Sequence, residues 1–467
     1  MQMLKSRSAG LFLLFLMCAT PLCAQLNDSQ KLARDIFKEL IEVNTTHSVG
    51  NTTAAAQGMA TRLRNAGFGD SEMSVLGEEP RSGNLVVRLR GTGARKPLLL
   101  LAHLDVVEAK REDWSVDPFK FIEKDGYFYG RGTSDIKDGD AILITTLIRL
   151  KQEHFQPDRD LIVALTAGEE SGGRNGVVWL LENHRDLIDA EYCVNTDSGF
   201  DRLNGKRWAA IVEAAEKRAV TFQLEATDPG GHSSIPRPDN PIYRVSEGLL
   251  RISKYSFPVQ LNETTRTFFE RASSLQSGQL AADMKSILLN PPDTGALTRL
   301  SADPPTNALL RTTCVATQME AGHALNALPQ AARAYVNCRI VPGSSIAEVL
   351  STLQEVVNDQ KIGLTVFLAR KGETPPPSPL RPDLVDAVEK VTTEMWPGVP
   401  VIPRMETGAT DGFPLRQAGI PTYGVSGVFF DVEDNRAHGS DERVRMEDFD
   451  QGVEFFYRLA KRLSSAP

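Results

Sequence analysis

The sequence is short of features that mark several protein classes, and each shortage sets something aside. No apolar run reaches the ~20 residues that a membrane helix needs, so no membrane span is expected. Basic residues do not predominate: 52 Lys and Arg stand against 60 Asp and Glu, a net charge of −8. That balance, with no basic stripe, argues against a nucleic-acid partner. There is no block of like charges and no internal repeat, which sets aside charged tails and solenoid arrays. Cysteine is scarce. Cys18 and Cys23 fall in the first 24 residues, leaving Cys193, Cys314 and Cys338, an odd number that cannot make a complete disulfide framework. Several catalytic patterns are missing too: there is no G-x-S-x-G elbow, H-E-x-x-H helix, P-loop or C-x-x-C pair. Cys193 has no evident partner histidine for nucleophilic work.

What is present is an ordinary globular composition, 41% hydrophobic and 24% charged, which places the chain among proteins with a packed core. At 467 residues it is long enough for two domains, or one domain carrying a large insertion. Lys5 and Arg7 precede the apolar stretch 11–19, and small residues follow up to Ala24. This reads as a secretory signal peptide over 1–24, and hence as a secreted, periplasmic protein.

Apolar periodicity predicts helices over 28–43, 52–66, 140–154 and 176–188, and strands over 84–91, 97–107, 160–170 and 190–199. The strands at 97–107 and 160–170 are almost continuously apolar, as strands covered on both faces should be. The expected fold class is α/β: a catalytic domain with a mostly parallel mixed sheet flanked by helices. From about 216 the order becomes strand, helix, strand, strand, helix, strand, a split βαβ arrangement. The Pro-rich segment 371–379 reads as the return linker. The expected division is catalytic domain 25–215, a smaller α+β ferredoxin-like lid or dimerisation domain 216–370, and catalytic domain again 371–467. The polar stretch 255–308 gives no clear pattern. Cys314 and Cys338 lie in two strand-like runs. If these form a hairpin centred near Asn326, the two sulfurs are cross-strand neighbours. A disulfide and two unpaired core cysteines both remain open.

The chemistry gathers at strand ends, where open α/β sheets bind ligands. His103 ends the run LLLLAH, two residues before Asp105. Asp135 sits in the Gly-rich segment RGTSDIKDG. Glu169 and Glu170 close LIVALTAGEE. Asp197 follows YCVNT, and His438 lies in RAHGSDE. Singly, most have bland readings: His-x-Asp as a surface pair, Asp135 as a solvated loop acid. Adjacent Glu169 and Glu170 at the end of an apolar strand are harder to explain without a cation, because repulsion and desolvation both oppose them. Together the set supplies nitrogen and oxygen ligands for two metals and leaves one carboxylate over as a general base.

With AHLDVV, GRGTSDIKDG, TAGEESGG, NTDSG, GGHSS, NALPQ and HGSDE in hand, the chain resembles the dinuclear zinc peptidases that include carboxypeptidase G, aminoacylase-1, succinyl-diaminopimelate desuccinylase, carnosinase and yeast carboxypeptidase S. The resemblance runs from about residue 30 to 460. It implies two Zn²⁺ ions, with Co²⁺ or Mn²⁺ as substitutes. Asp135 would bridge them, His103 and Asp197 would complete one site, and Glu170 and His438 the other. Glu169 would be the general base and Asp105 would hold His103. His232 would stabilise the oxyanion, in dimeric members from the neighbouring subunit. Asn326 and Arg339 would bind the substrate's carboxylate end, and Gly408 and Thr410 would line the cleft. The bond after Asp135 would be cis. Asp138 departs from the family's usual Gly, which touches the loop rather than the ligands. Asp197 can be Glu in relatives.

The expected activity is hydrolysis of the amide bond of dipeptides or short peptides with a free C-terminal carboxylate. The alternative is an N-acyl-amino-acid amidohydrolase with the same machinery. The expected partners are a small peptide or N-acyl amino acid and a second copy docked through the lid, with no nucleic acid. A binding protein that lost its chemistry would lack a ligand or Glu169, and all are present.

Overall fold

The computed structural model describes residues 26–171 and 175–465. The expected signal peptide lies outside them. Strand Leu98–His103 is buried along its whole length because each of its faces meets a different core. Leu98, Leu100 and Ala102 pack with helices Asp28–Glu42 and Lys137–Gln152, while Leu99 and Leu101 pack with Val177, Leu180 and Ile188. A side chain buried this way contributes about 1.5–3 kcal/mol, so the continuous apolar run is itself the signal for a sandwiched strand. Leu161–Thr166 and Tyr192–Asn195 lie parallel on either side of it. They belong to a ten-stranded mixed sheet. Antiparallel pairs occupy one edge, where Asn84–Leu89 joins Met73–Leu76 and Leu161–Thr166. The expected α/β catalytic domain is therefore present, with a mixed sheet flanked by helices.

Lys137–Gln152 begins two residues after Asp135, and the peptide bond between Asp135 and Ile136 is cis. The predicted helix over 176–188 is two helices, Gly176–Asn183 and Arg185–Ile188, separated at His184.

A second sheet has four antiparallel strands in the order Thr313–Ala321, Ala331–Ile340, Arg218–Thr227, Ile362–Ala369. Helices Pro241–Lys254 and Ile346–Val357 cover one face, enclosing Val220, Phe222, Leu224, Val336 and Leu353. This is the split βαβ order. Cys314 faces Cys338 across the first pair, and the two are disulfide-bonded.

The stretch without a clear sequence pattern forms four short helices, Glu263–Ser273, Gly278–Ser286, Thr294–Ser301 and Pro304–Leu310. Their apolar residues, Phe269, Met284, Ile287, Leu300 and Leu310 among them, join the larger core rather than that of the small sheet. Segments this short carry too few turns for periodicity to stand out.

The disulfide closes a loop with a sequence separation of 24. Replacing both cysteines by alanine is expected to cost about 2–4 kcal/mol of small-domain stability. Urea unfolding with and without reductant checks this: the wild type should lose that increment on reduction, and the double variant should not respond.

Candidate metal centre and active site

The candidate ligands come from five separate segments, and the strand ends bring them together. His103 Nε2 lies 3.2 Å from Asp135 Oδ1 and 4.0 Å from Asp197 Oδ2. His438 Nε2 lies 3.0 Å from Asp135 Oδ2 and 2.8 Å from Glu170 Oε1. Asp135 thus turns one oxygen to each imidazole. Three overlapping triplets result, His103–Asp135–Asp197, Asp135–Glu170–His438 and His103–Glu169–Glu170, each with donor atoms within 4.8 Å of one another. Their nitrogen and carboxylate donors suit zinc and its neighbours in the first transition row. His103 Nε2 is buried and makes no well-formed hydrogen bond despite its nearness to Asp135. An orphaned lone pair in such a place fits a metal ligand.

The electrostatics carry the same message. Burial would lower the His103 pKa, but Asp135 and Asp197 outweigh it and hold the imidazole well above its usual range. His438 is pushed up to about 10 by its contacts with Asp135 and Glu170. Burial and the Asp135 charge push Asp197 well above the usual carboxylate range. Glu169 rises to about 8, first through burial and then through the charges of Asp411 and Glu170, with His103 and Arg370 opposing. Without cations the cluster keeps protons that metals would displace.

Asp105 departs from its expected part. His103 Nδ1 is 3.0 Å from the Asp105 backbone carbonyl, whereas the carboxylate is 3.9 Å away. The carboxylate instead accepts the backbone N–H groups of Glu169 and Glu170, at 3.2 and 3.1 Å. The tight turn presents two adjacent amides to it, and a charge-assisted pair wins over one imidazole. Asp105 therefore orients His103 through its main chain and the two glutamates through its side chain.

Glu442, fully buried, ties the two loops of the cluster. It accepts from Arg131 Nη1 at 2.5 Å, Gly132 N at 3.1 Å, Ser134 N at 2.8 Å and Asp135 N at 3.2 Å. It stands four residues after His438, so one short segment supplies a candidate ligand and the clamp on Asp135. Buried Asp411 accepts from Thr166 Oγ1 at 2.8 Å and from Asn175, bracing the strand end that leads to Glu169. Neither role is visible in the sequence, although Asp411 directly follows Thr410.

Asp135, Glu169, Glu170, Asp197 and His438 line a cavity of about 470 Å³, together with Gly408 and Thr410. The Gly408 amide donates to Glu406, and the Thr410 hydroxyl donates to Glu216 Oε1 at 2.7 Å. The far wall is charged: Arg404 bonds Asp201 at 2.9 Å and Glu213 at 3.0 Å. His232, Asn326 and Arg339 are not among the residues lining this cavity. His232 is exposed with Nδ1 2.7 Å from Ser234 Oγ. The Asn326 carbonyl accepts from Ser233 N at 3.0 Å, so His232 and Asn326 are neighbours. Arg339 is on the small sheet, opposite Ala219.

A mixed sheet with an inserted split βαβ domain, and a cluster of imidazoles and carboxylates at its strand ends, defines a metal-dependent hydrolase of the metallopeptidase and amidohydrolase class. Residues 99–462 match Peptidase family M20/M25/M40, and the chain belongs to that family. It is 30% identical over 374 residues to an N-fatty-acyl-amino acid synthase/hydrolase PM20D1 of Xenopus tropicalis, covering 78% of this chain and 72% of that protein. A probable carboxypeptidase S-like 2 of Dictyostelium discoideum is 28% identical over 377 residues, covering 78% and 71%. Among solved structures, the M20 family metallo-carboxypeptidase Sso-CP2 of Sulfolobus solfataricus superposes with a TM-score of 0.70 at 16% identity, covering 92% of this chain and 99% of that one.

Two outcomes are expected. Glu442→Ala leaves Arg131 charged and unpaired in the interior, a change of about 3–5 kcal/mol, and frees Asp135. Denaturant melts should show the loss, and metal titration should show affinity falling about 10- to 100-fold. Secondly, His438 must shed a proton to ligate. Its pKa in the metal-free protein is raised, so the proton is fully held at low pH and lost only on approach to pH about 10. Apparent metal affinity should therefore rise with pH across 6–9, with proton release on binding. Calorimetry in buffers of different ionisation enthalpy measures both, and pH-independent uptake would contradict the assignment.

Proposed function

We propose that this protein is a secreted dinuclear zinc peptidase that hydrolyses the amide bond of dipeptides or short peptides with a free C-terminal carboxylate. The observation that carries the reading is Glu169. It lines the cavity and joins only the triplet with His103 and Glu170; the other two triplets already use both of those residues, which leaves the Glu169 carboxylate over for proton transfer.

Asp135 would bridge the two ions, with His103 and Asp197 on one side and Glu170 and His438 on the other. Bound zinc would supply Lewis acidity for the scissile carbonyl and the attacking water. Glu169 takes the proton of that water and passes it to the leaving amine. In the metal-free protein burial, with the charges of Asp411 and Glu170, raises Glu169 to about 8; bound cations would release that proton and leave the carboxylate to act as base. Gly408 and Thr410 line the substrate's path. His232, Asn326 and Arg339 would reach substrate from the small domain. His232 lies away from this cavity, which supports its service to a second copy docked through that domain. The exposed edge strand Thr313–Ala321, with Val315 and Met319 exposed, suits such docking. The disulfide suits an oxidising compartment and so supports secretion. No described helix is long and apolar enough to cross a membrane.

N-acyl-amino-acid hydrolysis is the second reading, favoured by the likeness to the Xenopus N-fatty-acyl-amino acid synthase/hydrolase. The charged far wall favours peptides, because a long acyl chain laid against Arg404, Asp201 and Glu213 would strip water from ions and give little back.

Zinc-loaded protein is expected to cleave dipeptides faster than N-acyl amino acids, measured as kcat/KM over a matched panel. Glu169→Gln should lower kcat by about 10²- to 10⁴-fold while still taking up metal. Wild-type rates in that variant would remove Glu169 as the base. Strong deacylation beside negligible dipeptide turnover would favour the second reading.

A further inference from the structure

We infer that Phe367, Leu368 and Tyr335 form an apolar platform on the small domain that selects an apolar side chain on the substrate residue bearing the free carboxylate. The inference rests on the reading of the cleft as an amide-hydrolase site, and it specifies which C-terminal residues that site takes.

A β-bulge makes the platform. Strand Arg218–Thr227 pairs with Ile362–Ala369, and the register shifts between Thr221 and Phe222. Leu368 faces Thr221 and Val366 faces Phe222, which leaves Phe367 as the extra residue. Partners across a ladder point to one face, and neighbours along a strand point to opposite faces. Val220 and Phe222 pack into the core under the two helices, so Thr221 and Leu368 point to the helix-free face. Ala334 and Val336 are core residues too, so Tyr335 points the same way. The Phe367 ring meets the Tyr335 ring with centroids 4.7 Å apart, and therefore joins Leu368 on that face. Strict alternation would have sent one of two adjacent residues to the core. Bulges re-aim side chains in this way.

Phe367 is 57% exposed and Leu368 66%. Single exposed apolar residues are ordinary, but large ones side by side mark a binding surface. The floor beside them makes no polar demand on an occupant, because Asn337 Nδ2 donates to Thr221 Oγ1 at 3.1 Å. Position identifies the occupant. Ala219 faces Arg339, and Val220 faces Ala369, so Arg339 and Arg370 lie level with Ala219. Arg370 Nη2 is 3.6 Å from Glu169 Oε1, and its Nη1 donates to the Thr410 carbonyl at 3.4 Å. This end of the face therefore opens on the cavity. Thr221, and with it Leu368, stands two residues further out, about 7 Å along the strand. That is within reach of one long side chain. A substrate residue held near Arg339 by its carboxylate lays its side chain outward over Leu368 and Phe367. A leucine or phenylalanine there leaves water for an apolar surface, and an aromatic ring adds edge or offset contact with Phe367 and Tyr335. A glycine gains neither.

The test uses the zinc-loaded full chain with Ala-Phe, Ala-Leu and Ala-Gly as substrates, in wild type, Leu368→Ser and the double variant Phe367→Ser/Leu368→Ser. Both positions are exposed, so the variants should melt with the wild type. Wild type is expected to prefer Ala-Phe and Ala-Leu to Ala-Gly by about 10- to 100-fold in kcat/KM, mainly through KM. The double variant should lose most of that preference, with Ala-Gly changed far less, and Leu368→Ser should fall between. An unchanged preference in the double variant, or equal losses on all three substrates, would overturn the platform. N-acetyl-phenylalanine and N-acetylglycine repeat the contrast, because they present the same carboxylate-bearing residues. The same preference there, lost in the double variant, supports the platform even if dipeptides are not cleaved, in which case the peptidase reading alone fails. Calorimetry of free phenylalanine against glycine covers the case in which neither class is hydrolysed. A wild-type preference for phenylalanine that the double variant abolishes supports the platform, and equal binding overturns it. Sedimentation separates the other occupant: a wild-type dimer that the double variant turns into a monomer makes this face a contact between copies and overturns the substrate assignment.

Discussion

Four carboxylates and two imidazoles crowded at the ends of buried strands cannot all carry their ordinary charges. Asp135, Glu169, Glu170 and Asp197 repel one another in a place with little water to screen them, and the chain answers by holding protons on His103, His438, Asp197 and Glu169. Cations relieve this more fully than protons do, because one bridging ion can neutralise two acids at once. The overlapping triplets and the orphaned His103 nitrogen both belong to this crowded cluster.

The scaffold keeps that excess from tearing the site apart by committing buried groups to the backbone around it. Asp105 ties down the Glu169–Glu170 turn, Glu442 ties down the 131–135 loop, and Asp411 joins the Thr166 strand end to Asn175. Each of these is another buried carboxylate, and each is stabilised by donors rather than by a cation, apart from the Arg131–Glu442 pair. The division is a physical one. Acids whose oxygens are filled by N–H and O–H donors serve structure, whereas acids whose oxygens point at one another are left for metal or proton.

This division explains what the sequence could and could not reveal. His103, Glu169, Glu170 and Asp197 were legible because each follows an apolar strand, and strand ends are where such sheets collect ligands. Asp135 and His438 were legible only through their motifs. The work of Glu442 and Asp411 was not legible, since it depends on contact between segments hundreds of residues apart. For Asp105 the sequence indicated the right neighbour and the wrong atom: spacing places a residue near His103, but the two amides of the next turn decide where its carboxylate goes. The helices of 263–310 stayed hidden for a different reason. They are short, Pro291 and Pro292 break the run between the second and third, and they take their stability from the larger core they cover.

Relatives on this one fold are named for different activities, so substrate choice is sought outside the sheet and the metal cluster. The discriminating surface is split. On one side is the cavity wall, where Arg404 is held by Asp201 and Glu213. On the other is the small domain, where Arg370, just past the strand that ends at Ala369, donates to the carbonyl of Thr410 at the cavity. A wall whose charges are already paired with one another gains nothing from an apolar chain and loses hydration to it. That pressure arises from residues outside the candidate metal ligands. Changes at Arg404 therefore alter the cavity wall while leaving the candidate metal ligands untouched.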